Sequence, residues 1–394
     1  MSVSDWPSHE QDEIDAVVEV LRSGKVNYWT GDIGKQFERE FAEHCGTNRA
    51  IALANGTLAL ELALEAAGIG PGDDVIVTPR TFIASASCVV RLGARPVFAD
   101  VSLDSQNLTP ESVEAALTSN TRAIIAVHHA GWPCDMDGLI ALADQHDLLL
   151  VEDCAQAHGA RYKNRPVGGL GHVAAFSFCQ DKIMTTGGEG GMLVTNDEAL
   201  WKRAWTIKDH GKNYDAVLKQ EHAPGFRWLH DSFGTNMRMT EMQAAIGRLQ
   251  LKKLGDWSRT RSDNAAQITK ALAKFRAIDV PLPDNQTRHA YYRLYAFVDH
   301  SQLASDWNRD RIMKEISSLG VPCFSGSCPE IYREKAFLTV DIRPDVPLAN
   351  ATAVTRSVSG LIACIHGTSP GVSPAADDWA RGSDRKEGPA IRAE

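Results

Sequence analysis

Lys182 lies between the apolar run Phe176-Ser177-Phe178 and the glycine-rich stretch Gly187-Gly188-Glu189-Gly190-Gly191. In a partly desolvated pocket, beside another positive centre, such an amine gives up its proton readily and can attack an aldehyde. Taken alone it also reads as a side chain snorkelling to solvent. Asp153 ends the run Leu148-Leu149-Leu150-Val151-Glu152-Asp153. A carboxylate at the end of a buried strand needs a partner. Solvent or a metal would serve, and so would a protonated heterocycle, which a nearby anion keeps electron-withdrawing. Asn55-Gly56-Thr57 falls between a strand and a helix. Gly56 lets the backbone approach an anion, Thr57 offers a hydroxyl and an amide, and the helix start adds favourable potential. The same three residues also make an ordinary turn and cap, and the glycine series of a dinucleotide fingerprint is absent. Ser177 can meet a phosphate or bond its own backbone. Asn236 and Arg238, in Gly234-Thr235-Asn236-Met237-Arg238-Met239-Thr240, offer an amide and a guanidinium to an anion, or simply cap the following helix.

These residues are far apart in the chain, so the elements around them must bring them together. From Asn48 apolar runs alternate with amphipathic ones. Strands are expected at 51–54, 75–78, 96–101, 123–127, 148–153, 173–178 and 191–195, the last a candidate antiparallel strand, with helices at 57–67, 81–92, 110–117 and after Gly138. Thr109-Pro110 is a cap followed by proline at the first helical position. Continuous apolar strands separated by helical crossovers imply a large, mostly parallel α/β sheet domain, whose chemistry collects at the carboxyl ends of the strands. Thr240 and Gln243 form a capping box for a helix over 240–253 that can continue towards Ile268 with a bend at Gly255. A smaller C-terminal α/β domain follows, with a strand over 291–298 and a helix over 309–318. The expected division is 1–254 for an N-terminal arm and the large domain, 255–368 for the small domain, and 369–394 for a disordered tail.

The chain has 394 residues, 43% of them hydrophobic, and a formal charge of −9, which suits a small-molecule partner and speaks against a nucleic-acid footprint. Neither a secretory leader nor a membrane-spanning run is visible, so a cytoplasmic protein is expected. Eight cysteines show no paired spacing. Cys323 and Cys328 have no second Cys/His pair at zinc spacing, so no metal is expected.

Together the pieces resemble the DegT/DnrJ/EryC1/StrS family of sugar-nucleotide aminotransferases, over roughly residues 24–340. The resemblance rests on Asn55-Gly56-Thr57-Leu58-Ala59-Leu60, Pro71-Gly72-Asp73-Asp74, Gly93-Ala94-Arg95-Pro96, Glu152-Asp153-Cys154-Ala155-Gln156-Ala157, Ser177 to Lys182 and Asn236-Met237-Arg238-Met239. It implies a fold-type I, aspartate-aminotransferase-like enzyme with pyridoxal 5'-phosphate covalently attached to Lys182 and alternating with pyridoxamine phosphate during turnover. It further implies that Asp153 pairs with the pyridine nitrogen and that Phe82 stacks on the ring. Gln156 would lie near the phenolic oxygen, with Gly56, Thr57 and Ser177 on the phosphate. Asn236 would reach across from a second subunit, making a homodimer with shared active sites. The implied reaction moves an amino group from glutamate to a nucleotide-linked keto sugar, as in amino-sugar biosynthesis for lipopolysaccharide O-antigen or glycosides. Alternatives are a sugar dehydratase of the family, which carries histidine in place of the lysine, and a cofactor-binding relative whose chemistry has lapsed. Lys25, Tyr28, Trp29, His158, Tyr291 and Arg293 are substrate-side candidates, with interface packing or a structural role as the alternative for each. Four features depart from the family pattern: Arg80 before Thr81-Phe82, one extra glycine after Lys182, the histidine-poor stretch Pro322–Pro329, and the ending after Pro347.

Overall fold

The computed structural model describes residues 6–222, 225–340, 342, 348–357 and 362–363. In chain order the first elements are α1 (Gln11–Ser23), α2 (Ile33–Cys45), β1 (Arg49–Leu53), α3 (Gly56–Ala66), β2 (Asp74–Val77), α4 (Ala84–Arg91), β3 (Arg95–Phe98), α5 (Pro110–Ala115), β4 (Thr121–Val127), α6 (Met136–His146) and β5 (Leu149–Asp153). They are followed by the short strands β6 (Arg161–Tyr162) and β7 (Arg165–Pro166), then β8 (Val173–Ser177), β9 (Gly191–Thr195), α7 (Glu198–Lys208), α8 (Tyr214–Leu218) and α9 (Glu241–Leu272).

Seven strands form one sheet in the order β1-β9-β8-β5-β4-β2-β3. Pairings from β3 through β8 are parallel, whereas β9 runs antiparallel to both β8 and β1. The expected mostly parallel sheet and the antiparallel last strand are both present. Helices cover both faces, because strands this apolar must be buried on two sides. Leu60, Leu64, Val89, Leu200 and Trp205 of α3, α4 and α7 fill one face with Ile51, Leu53, Val151 and Ala175. The opposite face holds Phe37 and Phe41 of α2 with Phe176 and Phe178, and further along Leu139 and Leu142 of α6 with Ile124 and Leu150.

Side chains alternate between the faces of a strand. Val151 and Ala175 point towards α3 and α4, so Asp153 and Ser177, each two residues on, share that face at the strand ends. Glu152 and Phe176 point the other way. This period of two decides which acid of the Glu152-Asp153 pair can enter a site shared with α3 and α4.

The capping box of Thr240 and Gln243 is formed, and α9 continues unbroken for 32 residues through Gly255, around which there is open space. The boundary expected near 255 therefore falls inside a continuous helix. Beyond α9, Ile278, Ala296, Val298 and Ile312 make a small separate core, with α10 (Arg309–Ser318) where the sequence predicts it. The strand expected over 291–298 is shorter, only Phe297–Val298. Preceding residues bond elsewhere: Ala290 N–H donates to Gly131 O and Arg293 N–H to Ala130 O, while Tyr291 sits in the left-handed region at φ 49°. The segment after Pro347 is not without structure. Ala349–Ser357 is helical, and the Asn350 and Ala351 amides donate to Asp100 at 2.9 Å each. The expected tail from 369 lies outside the described residues. Among the described residues no helix is long and apolar enough to cross a membrane.

Candidate active site

The carboxyl ends of β1, β5 and β8 bring the first group together. Asn55 accepts a bond from Leu58 N–H and starts α3 at Gly56, whose first-turn amides have no intrahelical acceptor. Gly56 lies against β8 so closely that a Cβ there would come 2.6 Å from Ser177 Cβ. Glycine is required, and the approach brings the start of α3, with its free amides and Thr57, against Ser177. These are the donors a phosphate dianion needs.

Asp153 is buried beside them. Ser85 Oγ donates to its Oδ2 at 2.8 Å and Ala155 N–H to its Oδ1 at 3.1 Å. Burial raises its pKa, and Ser85, the Ala155 amide, His128 and Lys182 offset that only partly. Such an acid is completed by a cation placed against it. Phe82, one turn before Ser85, leaves its ring 67% exposed. Gln156 is buried and uses its carbonyl to accept from Ala130 N–H at 2.7 Å, so its NH2 is left to donate.

Lys182 is 17% exposed, with Nζ 3.1 Å from both oxygens of Asp181 and 5.2 Å above the Tyr292 ring. The Tyr292 hydroxyl donates to Asp181 Oδ2 at 2.5 Å. Burial would lower the lysine pKa, but Tyr292 and Asp181 outweigh it and hold it above the ordinary value. This corrects the expectation of a readily deprotonated amine beside a positive centre: its immediate neighbours are an acid and a phenol. Lys182 is nevertheless within electrostatic reach of Asp153, whose pKa it lowers.

Other candidates lie elsewhere. His158 is a correction: it is 1% exposed, and its ring packs against Phe176 and Phe178 on the face away from Asp153 and Ser177. Burial brings its pKa down to about 3, so it is a neutral packing group. Tyr28 is also corrected. It is 5% exposed, donates to Glu38 Oε2 at 3.2 Å and lies under Lys208 Nζ at 3.9 Å from the ring centroid. Trp29 is half-buried, edge-on to Trp205 with Lys212 above it. Lys25 and Asn236 are exposed. Asn236 accepts from Arg238 N–H through Oδ1, and its segment is anchored where Asp209 pairs with Asn236 and Arg238 Nη1 donates to Asp209 at 2.9 Å. Tyr291 stacks on His289 at 4.2 Å, and Arg293 lies over the Tyr292 ring at 5.1 Å.

Ser85 and Asp181 were not among the expected site residues. Ser85 stands three residues after Phe82, in the first turn of α4, and its amide donates to the Phe82 carbonyl, a short spacing that could have drawn attention to it. The pairing of Asp181 with Tyr292 spans 111 residues and has no local signal.

His128, Glu152 and Cys154 lie close enough for a metal, within 4.8 Å of one another. Their bonds are already committed. Glu152 accepts from the amides of Gly168, Leu170 and Gly171 and from His128 Nε2, and His128 Nδ1 accepts from Cys134 N–H. The cluster ties the 168–171 loop to β5.

A seven-stranded sheet with one reversed strand, carrying a phosphate cradle, a buried acid, an exposed aromatic ring and a lysine at its carboxyl edge, defines a fold-type I transferase of the pyridoxal-phosphate class. By sequence the chain belongs to the DegT/DnrJ/EryC1/StrS aminotransferase family, whose family model matches residues 7–361. It is similar to the aminotransferase from Psychrobacter cryohalolentis, whose X-ray structure superposes with a TM-score of 0.90 at 56% identity, covering 93% of this chain and 94% of that one. It is 35% identical to dTDP-3-amino-3,4,6-trideoxy-alpha-D-glucose transaminase of Streptomyces venezuelae, over 94% of this chain and 92% of the relative. Identity to GDP-perosamine synthase of Caulobacter vibrioides is 37%, over 80% of this chain and 81% of the relative. The family implies pyridoxal phosphate, and the residues fit it: Gly56 is held to the size of a hydrogen atom at the cradle, and Asp153 offers the buried anion that a pyridinium needs.

Proposed function

We infer that the chain transfers an amino group from glutamate, through pyridoxal phosphate, to a keto sugar linked to a nucleoside diphosphate. What supports this is that three separate segments, holding Gly56, Asp153 and the Ser177–Lys182 stretch, meet at the carboxyl edge of the sheet: Gly56 lies against Ser177, and Lys182 is within electrostatic reach of Asp153. The sugar-nucleotide names of the two curated relatives support the substrate class.

When bound, pyridoxal phosphate supplies an electron sink that acidifies the C–H beside the substrate nitrogen. The Gly56 and Thr57 amides and the Ser177 hydroxyl would hold its phosphate, and Phe82 would cover its ring. Asp153, whose anion Ser85 and the Ala155 amide favour against burial, would pair with the ring nitrogen and preserve its positive charge. Lys182 would hold the cofactor covalently, and its Nζ, when free, is the base that would take the proton from the carbon bearing the amino group and return a proton in the second half of the exchange. Gln156 donates its NH2 on the side of the phenolic oxygen. Asn236 serves the phosphate of a partner subunit, so the working unit is a homodimer with shared sites. Tyr291 and Arg293 stand on the substrate side.

Incubation with glutamate and a panel of nucleotide-linked keto sugars is expected to yield 2-oxoglutarate and an amino sugar. Lys182→Ala is expected to lose the lysine-imine absorbance while still binding cofactor. Dimeric, cofactor-loaded protein that exchanges no amino group across the panel refutes the activity, and an unchanged imine spectrum in Lys182→Ala refutes the anchor.

A further inference from the structure

Arg80 follows β2 and is 3% exposed, yet no carboxylate pairs with it among the described residues. Its guanidinium is held by neutral groups from three distant segments. Nε donates to Gln106 Oε1 at 2.6 Å, Nη1 donates to the Ser327 carbonyl oxygen, and Cζ lies 5.1 Å from the Tyr295 ring centroid. Tyr295 is tied to the same stretch, because its hydroxyl accepts from Ser327 N–H at 3.2 Å. Gly326 fits between them. A Cβ there would come 2.7 Å from Arg80 Nη2 and 2.8 Å from Tyr295 Cε1. A second tie runs alongside, from Ile331 N–H to Pro79 O at 3.0 Å. Two features that set this sequence apart, Arg80 and the stretch Pro322–Pro329, therefore lie against one another.

The backbone that Arg80 fixes leads directly into the site. Arg80 N–H donates to Thr78 Oγ1, Phe82 follows two residues later, and Ser85, which donates to Asp153, is on the next turn. A planar fork with donors in fixed directions can satisfy Gln106 and the Ser327 carbonyl together, whereas a lysine ammonium of equal charge cannot span both.

We propose that Arg80 is a positioning residue that ties the Gly326-Ser327 segment to the loop carrying Phe82, so that the two hold a single geometry over the cofactor ring. This rests on the assignment of Phe82 to the ring face. Arg80 acts through Phe82 and touches neither cofactor nor substrate.

The test uses the full-length protein, with Arg80→Lys and the milder Gly326→Ala, whose added methyl pushes the segment off the guanidinium. Amide hydrogen exchange of the cofactor-free protein is read first. In both variants exchange is expected to quicken together at Ser327, Ile331 and the 80–85 loop, by roughly tenfold, with the central strands unchanged. Pyridoxal-phosphate affinity, from titration of the bound chromophore, is expected to weaken by roughly tenfold in Arg80→Lys, whereas Arg80→Lys is expected to cause no further weakening when Phe82→Ala is already present. Faster exchange confined to 325–331, with loop 80–85 and cofactor affinity unchanged, overturns the proposal. So does equal weakening in the presence and absence of Phe82→Ala. If Phe82→Ala alone leaves the affinity unchanged, the assignment of Phe82 fails instead, and coupled or uncoupled exchange still decides whether Arg80 joins the two segments.

Discussion

Lys208, at the end of α7, gives a pH dependence of stability that can be worked from its surroundings. Its ammonium is fully buried and has no hydrogen-bond partner among the described residues. Asp209 Oδ2 stands 3.8 Å away, but Asp209 Oδ1 already accepts from Lys212 and Arg238 at 2.9 Å each. Burial, opposed by Glu38 and Asp209 and reinforced by Arg238 and Lys212, brings Lys208 down from 10.5 to about 8. Between those values the unfolded chain holds a proton that the folded one has released, so stability rises with pH across this window. Below about 8 both states are charged and the full penalty applies. The whole shift corresponds to roughly 3 kcal/mol, of which about 2 kcal/mol is recovered between about pH 7.5 and about pH 9.5. Lys208→Met removes the titrating group while Asp209 keeps its other two cations. Urea unfolding of both proteins at several pH values reads the difference, to which Glu38, whose carboxylate Lys208 stabilises, also contributes. The wild type is expected to gain about 2 kcal/mol on the variant over that range. Parallel stability curves would refute the reasoning, and so would a wild type that loses ground as pH rises.

Three further substitutions probe the site and its support. Glu152→Gln turns an NH2 either towards the amides of Leu170 and Gly171 or towards the Gly168 amide and His128 Nε2, and is expected to cost about 3 kcal/mol in chemical denaturation. A cost within experimental error would contradict the committed bonding of that carboxylate. Gly56→Ala puts a methyl 2.6 Å from Ser177 Cβ and 3.0 Å from its Cα, and titration with pyridoxal phosphate should show at least a roughly tenfold loss of affinity. Ser85→Ala removes the hydroxyl that helps keep Asp153 ionised, so its pKa should climb further. Amino transfer should then fall by about tenfold, most steeply at acid pH, and an unshifted acid limb in the pH profile would reject that role.

Much of this protein is readable from local spacing. The cap Thr109-Pro110 and the capping box Thr240-Gln243 mark helix starts, the continuous apolar runs mark strands, and Gly56, Asp153, Ser177 and Lys182 stand at or just past the strand ends where polar chemistry gathers. Backbone conformation and the alternation of faces are properties of neighbouring residues, so a sequence carries them directly. Tertiary packing decided the rest. It sends His158 under the sheet between two phenylalanines, closes Tyr28 beneath Lys208, and pairs Lys182 with an acid and a phenol that keep it charged. It also brings Ser327 to Arg80 across 247 residues. The burial and charged neighbours of a side chain depend on segments whose order along the chain does not state which will touch, and those neighbours set protonation and exposure at the site.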